Sequence, residues 1–268
     1  MKASELISQL HGDRRQLWRL LSEQSNIPLP KLLLEDMELT QAQEVALQQG
    51  AQRLAQHEPI AYISGKAWFM DCELLVDKRV LIPRPDTETL VEAVLALAEP
   101  GRWMEVGTGS GAIAIALAKR GFQMTATDIS QDALDVAMAN ARHNDVDGIH
   151  WVQGDLTAGL TGPWDGIVSN PPYIAADEME DLDPSVLWEP HAALYGGTDG
   201  LDFYKRLAEC SALLRPGGWM ALEIGYQQAN AVTAIFSDKG WHHITVKQDL
   251  GGRDRVVCCR RDKICGMD

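Results

Sequence analysis

The tetrapeptide Asn170-Pro171-Pro172-Tyr173 carries residue types suited to gripping a planar group that bears an NH₂. Two successive prolines fix φ and remove two backbone donors, which leaves the carbonyls of Asn170 and Pro171 free to accept. Asn170 adds a side-chain carbonyl beside them, and Tyr173 adds a flat aromatic face. The apolar run Gly166-Ile167-Val168 just before reads as a strand, so the pocket stands where a strand ends, which is where open α/β sheets bind ligands. On its own, Asn-Pro is equally a common way to start a turn.

A second stretch, Glu105-Val106-Gly107-Thr108-Gly109-Ser110-Gly111, lies between a strand-like and a helix-like segment. Glycines there allow a tight turn and close approach of a ligand, and a helix N-terminus supplies free N–H groups. Asp128 follows at about the twenty-residue spacing at which a carboxylate ending the next strand accepts from ribose hydroxyls. The pair points to an adenosine-containing ligand. Read as Gly107, Gly109 and Ala112, the loop also satisfies the dinucleotide pattern, so a dehydrogenase stays open. Three features lean away from it. Glu105 puts a carboxylate at the strand mouth, which suits a cationic amino-acid group. Asp155 is placed to accept from an adenine amino group. Asn170 to Tyr173 offer no acid or base for hydride chemistry.

In Ile82-Pro83-Arg84-Pro85-Asp86-Thr87-Glu88, Asp86 or Thr87 can cap a helix, with Glu88 in its first turn. A second reading makes Arg84 and Glu88 part of a site wall, and the residues leave both open.

Positioning these groups requires a sheet with helices on both faces. After Gly101 the chain alternates strand and helix: strands at 103–106, 122–128, 150–153, 166–169, 219–224, 243–247 and 255–259, and helices at 112–119, 131–143, 201–214 and 227–237. This is an α/β fold, a Rossmann-like seven-stranded, mostly parallel sheet over residues 81–268. Residues 1–58 show helical spacing through Leu6, Leu10, Leu17, Leu20, Leu21, Leu32, Leu33, Leu34, Val45, Ala46 and Leu54, with Thr40 and Gln43 as a capping box. They form a small helical bundle. Residues 59–80, with short groups Ile60 to Ile63, Trp68-Phe69 and Leu74 to Val76, read as a β-hairpin linker.

The 268 residues carry a formal net charge of −14 and 46% hydrophobic residues, so a core is available and a polyanion meets repulsion. No run of roughly 18 apolar residues and no secretory h-region is present, which places the protein in the cytoplasm. Five cysteines (Cys72, Cys210, Cys258, Cys259 and Cys265) without a C-x-x-C pair, and seven scattered histidines, argue against a disulfide framework and a metal site.

In that order, the helical bundle, Ile82 to Glu88, Glu105 to Gly111, Asp128, Gly154-Asp155 and Asn170 to Tyr173 resemble the bacterial release factor glutamine methyltransferases of the HemK/PrmC type. Glu189 to Leu194, Gly196 to Leu201, Leu222 to Gly225 and Asp249 to Arg255 extend the likeness almost to the C-terminus. The family usually has Asp where Glu105 stands, an aromatic and a small residue at Met70 and Asp71, and Asp-Ala-Glu at Gln16-Leu17-Trp18. The resemblance implies S-adenosylmethionine as methyl donor and, as substrate, the glutamine of the Gly-Gly-Gln motif in peptide chain release factors. It implies a bundle that docks the substrate, and a monomer without direct nucleic-acid contact. Glu105, Gly107, Thr108, Gly109, Gly111, Asp128, Asp155 and Asn170 then hold the cofactor. Asn170, Pro171 and Tyr173 carry catalysis, and Arg84, Glu88 and Pro172 complete the substrate pocket. A DNA amino-methyltransferase and a non-catalytic nucleotide-binding module are the alternatives; acidity without a basic recognition segment weighs against the first.

Overall fold

Leucines three and four residues apart give the beginning of the chain its helices. The computed structural model describes residues 1–262, which form two compact units. The first comprises Met1–Lys66 together with Asp183–Trp188. Its helices are α1 (Ala3–Gln9), α2 (Arg14–Ser25), α3 (Leu29–Glu35), α4 (Gln41–Leu54) and α5 (Ile60–Ser64). They enclose Leu6, Leu17, Leu20, Leu21, Leu32 and Leu47. The capping box forms as expected: Gln43 N donates to Thr40 Oγ1 at 3.3 Å and Thr40 N to Gln43 Oε1 at 3.0 Å. Of the leucine triplet only Leu32 is buried, while Leu33 and Leu34 are 56% and 88% exposed, because three consecutive helical positions cannot share one face. Val45 is exposed as well. In the excursion Asp183–Trp188, Trp188 Nε1 donates to the Gln56 carbonyl at 3.2 Å.

Ile60 to Ile63, expected as hairpin, are helical instead. Tyr62 N and Ile63 N both donate to Pro59 O, and Gly65 closes the turn at φ 77°. A short apolar run has no period by which to tell a strand from a buried helical turn. The hairpin is confined to β1 (Lys66–Phe69) and β2 (Cys72–Leu75).

The second unit follows the expected alternation: α6 (Pro85–Leu97), β3 (Arg102–Val106), α7 (Ala112–Ala118), β4 (Gln123–Asp128), α8 (Gln131–His143), β5 (His150–Gln153), β6 (Trp164–Ser169), α9 (His191–Leu194), α10 (Asp202–Ala208), β7 (Leu214–Glu223), α11 (Ala229–Asp238), β8 (His242–Gln248) and β9 (Asp254–Arg260). The seven strands lie in the order β5-β4-β3-β6-β7-β9-β8, with β9 antiparallel to β7 and β8 and the other pairs parallel. Alternate residues bury on opposite faces: Trp103 joins Leu90, Val94 and Ile115 on one side, and Met104 joins Ile167, Tyr204 and Phe236 on the other. Parallel register sets the functional residues along one edge. Val106 pairs with Thr127 and Ser169, Asp128 with Gln153, and Ser169 with Leu222. The loops after β3, β4, β5, β6 and β7 therefore leave the sheet together.

Two local expectations change. Helix α6 has Arg84 as its N-cap and Pro85 at its first position, without a side-chain cap: Thr87 N donates to the Arg84 carbonyl at 3.1 Å, and Thr87 lies inside the helix, buried. The expected helix 201–214 stops at Ala208 and continues as a 3₁₀ turn, Glu209–Leu213. Strand β7, expected from 219, starts earlier at Leu214 and takes in Arg215 to Gly218, where Gly217 N donates to Arg261 O and Arg261 N to Gly218 O. Among the described residues no helix is long and apolar enough to cross a membrane, and no cluster of three metal-ligating side chains occurs. Cys72, Cys258 and Cys259 are buried free thiols; Cys265 lies outside the described residues.

Candidate active site

At the end of β3, Gly107 N and Thr108 N both donate to Thr127 O at 2.9 Å, and Gly111 N to Thr108 O at 2.8 Å. The glycine loop is thus folded onto the next strand. Gly107 and Gly109 take φ of 72° and 54°, and a Cβ at either would meet nothing within 4 Å. Left-handed backbone demands glycine there, while the space beside the loop stays open. Asp128 locks the arrangement: its Oδ2 accepts from Gly109 N and its Oδ1 from Ser130 N, each at 2.9 Å. The structure brings Gly107, Thr108, Gly109 and Asp128 together as the spacing predicts.

Glu105 departs from expectation. It is 1% exposed and points beneath the loop, where Oε2 accepts from Thr108 Oγ1 at 2.7 Å and from Ala114 N at 3.0 Å. Burial pushes its carboxyl up to about 8, against the two hydrogen bonds that favour the charge. It is an internal brace for the turn and the start of α7, and not a carboxylate displayed at the strand mouth. The Thr108 hydroxyl is committed to the same brace. Asp155 is half-exposed, with Oδ2 accepting from Arg206 Nη2 at 2.8 Å, at the rim of an open cavity of about 410 Å³ lined also by Thr157 and Cys210.

At the end of β6, Ser169 Oγ donates to Val106 O at 2.7 Å, and Asn170 Nδ2 donates to Thr87 Oγ1 at 3.3 Å. With its amino group so held, the Asn170 Oδ1 faces away from Thr87. Among the described residues no donor reaches the carbonyls of Asn170 or Pro171. Tyr173 O accepts from Gln228 Nε2 at 2.9 Å, and its half-buried ring packs on the core beside Tyr204 and Phe236. Burial lifts its phenol to about 12, so it stays neutral. Ile174 N to Leu194 O and Gly196 N to Ile174 O pin the chain that follows.

Arg84 and Glu88 are engaged in bracing. Arg84 pairs with the buried Glu189, whose Oε2 also accepts from Ile82 N at 3.0 Å. Glu88 Oε1 accepts from Met70 N at 2.7 Å and holds the hairpin turn. The pair fixes the segment that carries Thr87.

Two buried polar residues were given no role by the sequence reading. Asn140 of α8 is fully buried; it accepts from Leu75 N at 2.6 Å and donates to Leu75 O and Ser110 O, tying hairpin to glycine loop. Glu223 ends β7 at 1% exposure, and its Oε2 has no hydrogen-bond partner among the described residues. Burial pushes its carboxyl up to about 7, a rise that the Thr87 hydroxyl and the Arg255 charge partly offset. The available signals were an acid closing the apolar run Met220-Ala221-Leu222 and its place in the Leu222 to Gly225 stretch of the family likeness, neither of which gave it a role.

Comparison with known proteins places this geometry. The PrmC N-terminal domain family matches residues 2–65, and the methyltransferase small domain family matches residues 85–189. A release factor glutamine methyltransferase of Lactococcus lactis subsp. lactis (strain IL1403) is 42% identical over 248 residues, 90% of this chain and 91% of that protein. Its counterpart in Salmonella typhimurium (strain LT2) is 40% identical, covering 83% of this chain and 82% of its own. Among solved structures, a methyltransferase from Pyrococcus furiosus shares the fold with a TM-score of 0.58 at 19% identity, over 80% of this chain and 98% of that one.

Proposed function

Since the chain belongs to the release factor glutamine methyltransferase family, we propose how its own residues carry out the transfer of a methyl group to the side-chain amide nitrogen, N5, of the glutamine in the Gly-Gly-Gln motif of peptide chain release factors. The methyl donor is S-adenosylmethionine, which supplies an electrophilic methyl group when bound. The residues present fit it: Gly107 and Gly109 leave open space beside a left-handed turn, and the Asp128 carboxylate stands against that turn. Thr108, Gly111 and Glu105 hold the turn in shape, and Asp155 contributes from the next strand end.

An amide nitrogen is a poor nucleophile because its lone pair is delocalised, so the task of this chain is to hold the NH₂ still. Asn170 Oδ1 accepts one N–H and the Pro171 carbonyl the other, while Pro172 keeps the corner stiff and donor-free. Tyr173 packs on the carboxamide plane. Orientation of this kind is worth roughly 7–11 kcal/mol in favourable cases, and the acceptors strengthen as the nitrogen gains positive charge. A strong base is unnecessary, because the N–H turns acidic only after methylation. Arg84 and Glu88 serve the substrate pocket indirectly, by fixing segment 82–88.

The observation that carries this reading is the Asn170 carboxamide, held at its amino end by Thr87 beside two backbone carbonyls that receive no donor among the described residues. The helical bundle docks the release factor, and the enzyme works in the cytoplasm. Incubation with labelled S-adenosylmethionine and purified release factor, followed by mass spectrometry of the tryptic Gly-Gly-Gln peptide, is expected to show one added methyl on the glutamine. An unmodified peptide refutes the reading.

A further inference from the structure

The register that pairs Ser169 with Leu222 puts Asn170 level with Glu223, and Thr87 of α6 stands between them. These three residues form a line of buried polar groups running from the acceptor corner into the protein. A threonine hydroxyl has a single proton, so the direction of hydrogen bonding along such a line is fixed by its inner end. When Glu223 is a carboxylate it can only accept. Thr87 must then donate inward, and its oxygen is left to accept from the Asn170 NH₂, the arrangement observed at 3.3 Å. Asn170 Oδ1 consequently faces outward. A neutral Glu223 can donate to the Thr87 oxygen, which releases the Thr87 proton toward Asn170 Oδ1. The carboxamide then turns over, and its NH₂ confronts the NH₂ it should hold.

We propose that Glu223 is a positioning residue for methyl transfer, acting through Thr87 to set which end of the Asn170 carboxamide faces the substrate. The proposal rests on the acceptor role assigned to Asn170 above. Glu223 has the freedom it needs, because Oε2 has no hydrogen-bond partner among the described residues. The charged and titratable groups around it are Arg255 of β9, itself paired with Asp249 and Asp86, then Arg84 before α6, and the Tyr173 phenol. Tyr204 of α10 is committed to the Glu223 backbone, its hydroxyl donating to that carbonyl at 2.9 Å. Burial against these neighbours brings the carboxyl to about 7, so both charge states occur near neutral pH.

The test uses the full chain, purified full-length release factor and saturating S-adenosylmethionine, with kcat and KM measured between about pH 5.5 and 9, the span over which a carboxyl displaced to neutrality titrates. Wild-type kcat should fall on the acid side with an apparent pKa of about 7. Thr87→Val should lower kcat about tenfold or more, with cofactor affinity by calorimetry within about twofold, and Thr87→Ser should restore most of it. Glu223→Gln should remove the acid limb. Wild-type kcat in Thr87→Val, or an unchanged acid limb in Glu223→Gln, overturns the proposal. If Thr87→Val does not fold, the Thr87→Ser and Glu223→Gln profiles decide alone. Asn170→Ala separates the two levels. Activity in that variant removes the parent reading, whereas an inactive Asn170→Ala beside an unimpaired Thr87→Val removes only the role of Glu223.

Discussion

Glu105→Gln should make the protein less sensitive to alkaline pH. In the folded state the Glu105 carboxyl lies at about 8 against an ordinary 4.5, because burial outweighs its two hydrogen bonds. A carboxyl raised on folding favours the folded state below its unfolded value, and that advantage is lost as pH rises toward the folded value. At about 1.4 kcal/mol per unit, the loss accumulates from near pH 4.5, reaching about 3 kcal/mol at neutrality and levelling near 5 kcal/mol above pH 8. Glutamine keeps the carbonyl that Thr108 Oγ1 and Ala114 N donate to, and it has nothing to ionise. Its NH₂ does introduce a buried donor with a fixed cost of about 1–3 kcal/mol, the same at every pH. Urea unfolding of both proteins without cofactor at pH 5, 7 and 9, followed by intrinsic fluorescence, reads the difference. The variant should be the less stable at pH 5 and should gain on the wild type by a few kcal/mol by pH 9. A stability difference that stays constant over this range refutes the assignment of a buried, strained carboxyl beneath the loop.

Asn140→Leu deletes three hydrogen bonds, one of them buried, and strands Leu75 N and Ser110 O, so unfolding free energy should drop by about 2–5 kcal/mol in chemical denaturation; a loss under about 1 kcal/mol contradicts the tie between hairpin and loop. Asp128→Ala should weaken S-adenosylmethionine binding at least tenfold by calorimetry, since a charged acceptor contributes about 1.5–3 kcal/mol, while wild-type affinity excludes Asp128 from the cofactor site.

Most of the architecture was legible because it follows from periodicity. Helix α8 and strand β5 lie where expected, and parallel register then forces Gly107, Asp128 and Asn170 to one edge. What sequence spacing did not carry was side-chain direction at element ends. Glu105 shares the face of Trp103 along β3 and is drawn under α7, though its place before a glycine loop suggested a displayed charge. Thr87 looked like a cap; the helix starts at Pro85, two residues earlier, so Thr87 lies within its first turn and its hydroxyl accepts from Asn170. Ile60 to Ile63 were too short a run for either period to show, and Pro59 tipped them into a helical turn. Glu189, more than a hundred positions from Arg84 and Ile82, reaches them only through the tertiary fold.

The central claim is that Asn170 Oδ1 holds the substrate carboxamide while Thr87 holds the amino end of Asn170. Its most direct test is Asn170→Ala, with S-adenosylmethionine affinity measured by calorimetry and single-turnover methylation of the release factor glutamine measured by mass spectrometry. Affinity within about twofold of wild type together with a rate reduced at least a hundredfold, about 2.7 kcal/mol of transition-state stabilisation, is the expected result. A methylation rate close to that of the wild type contradicts it.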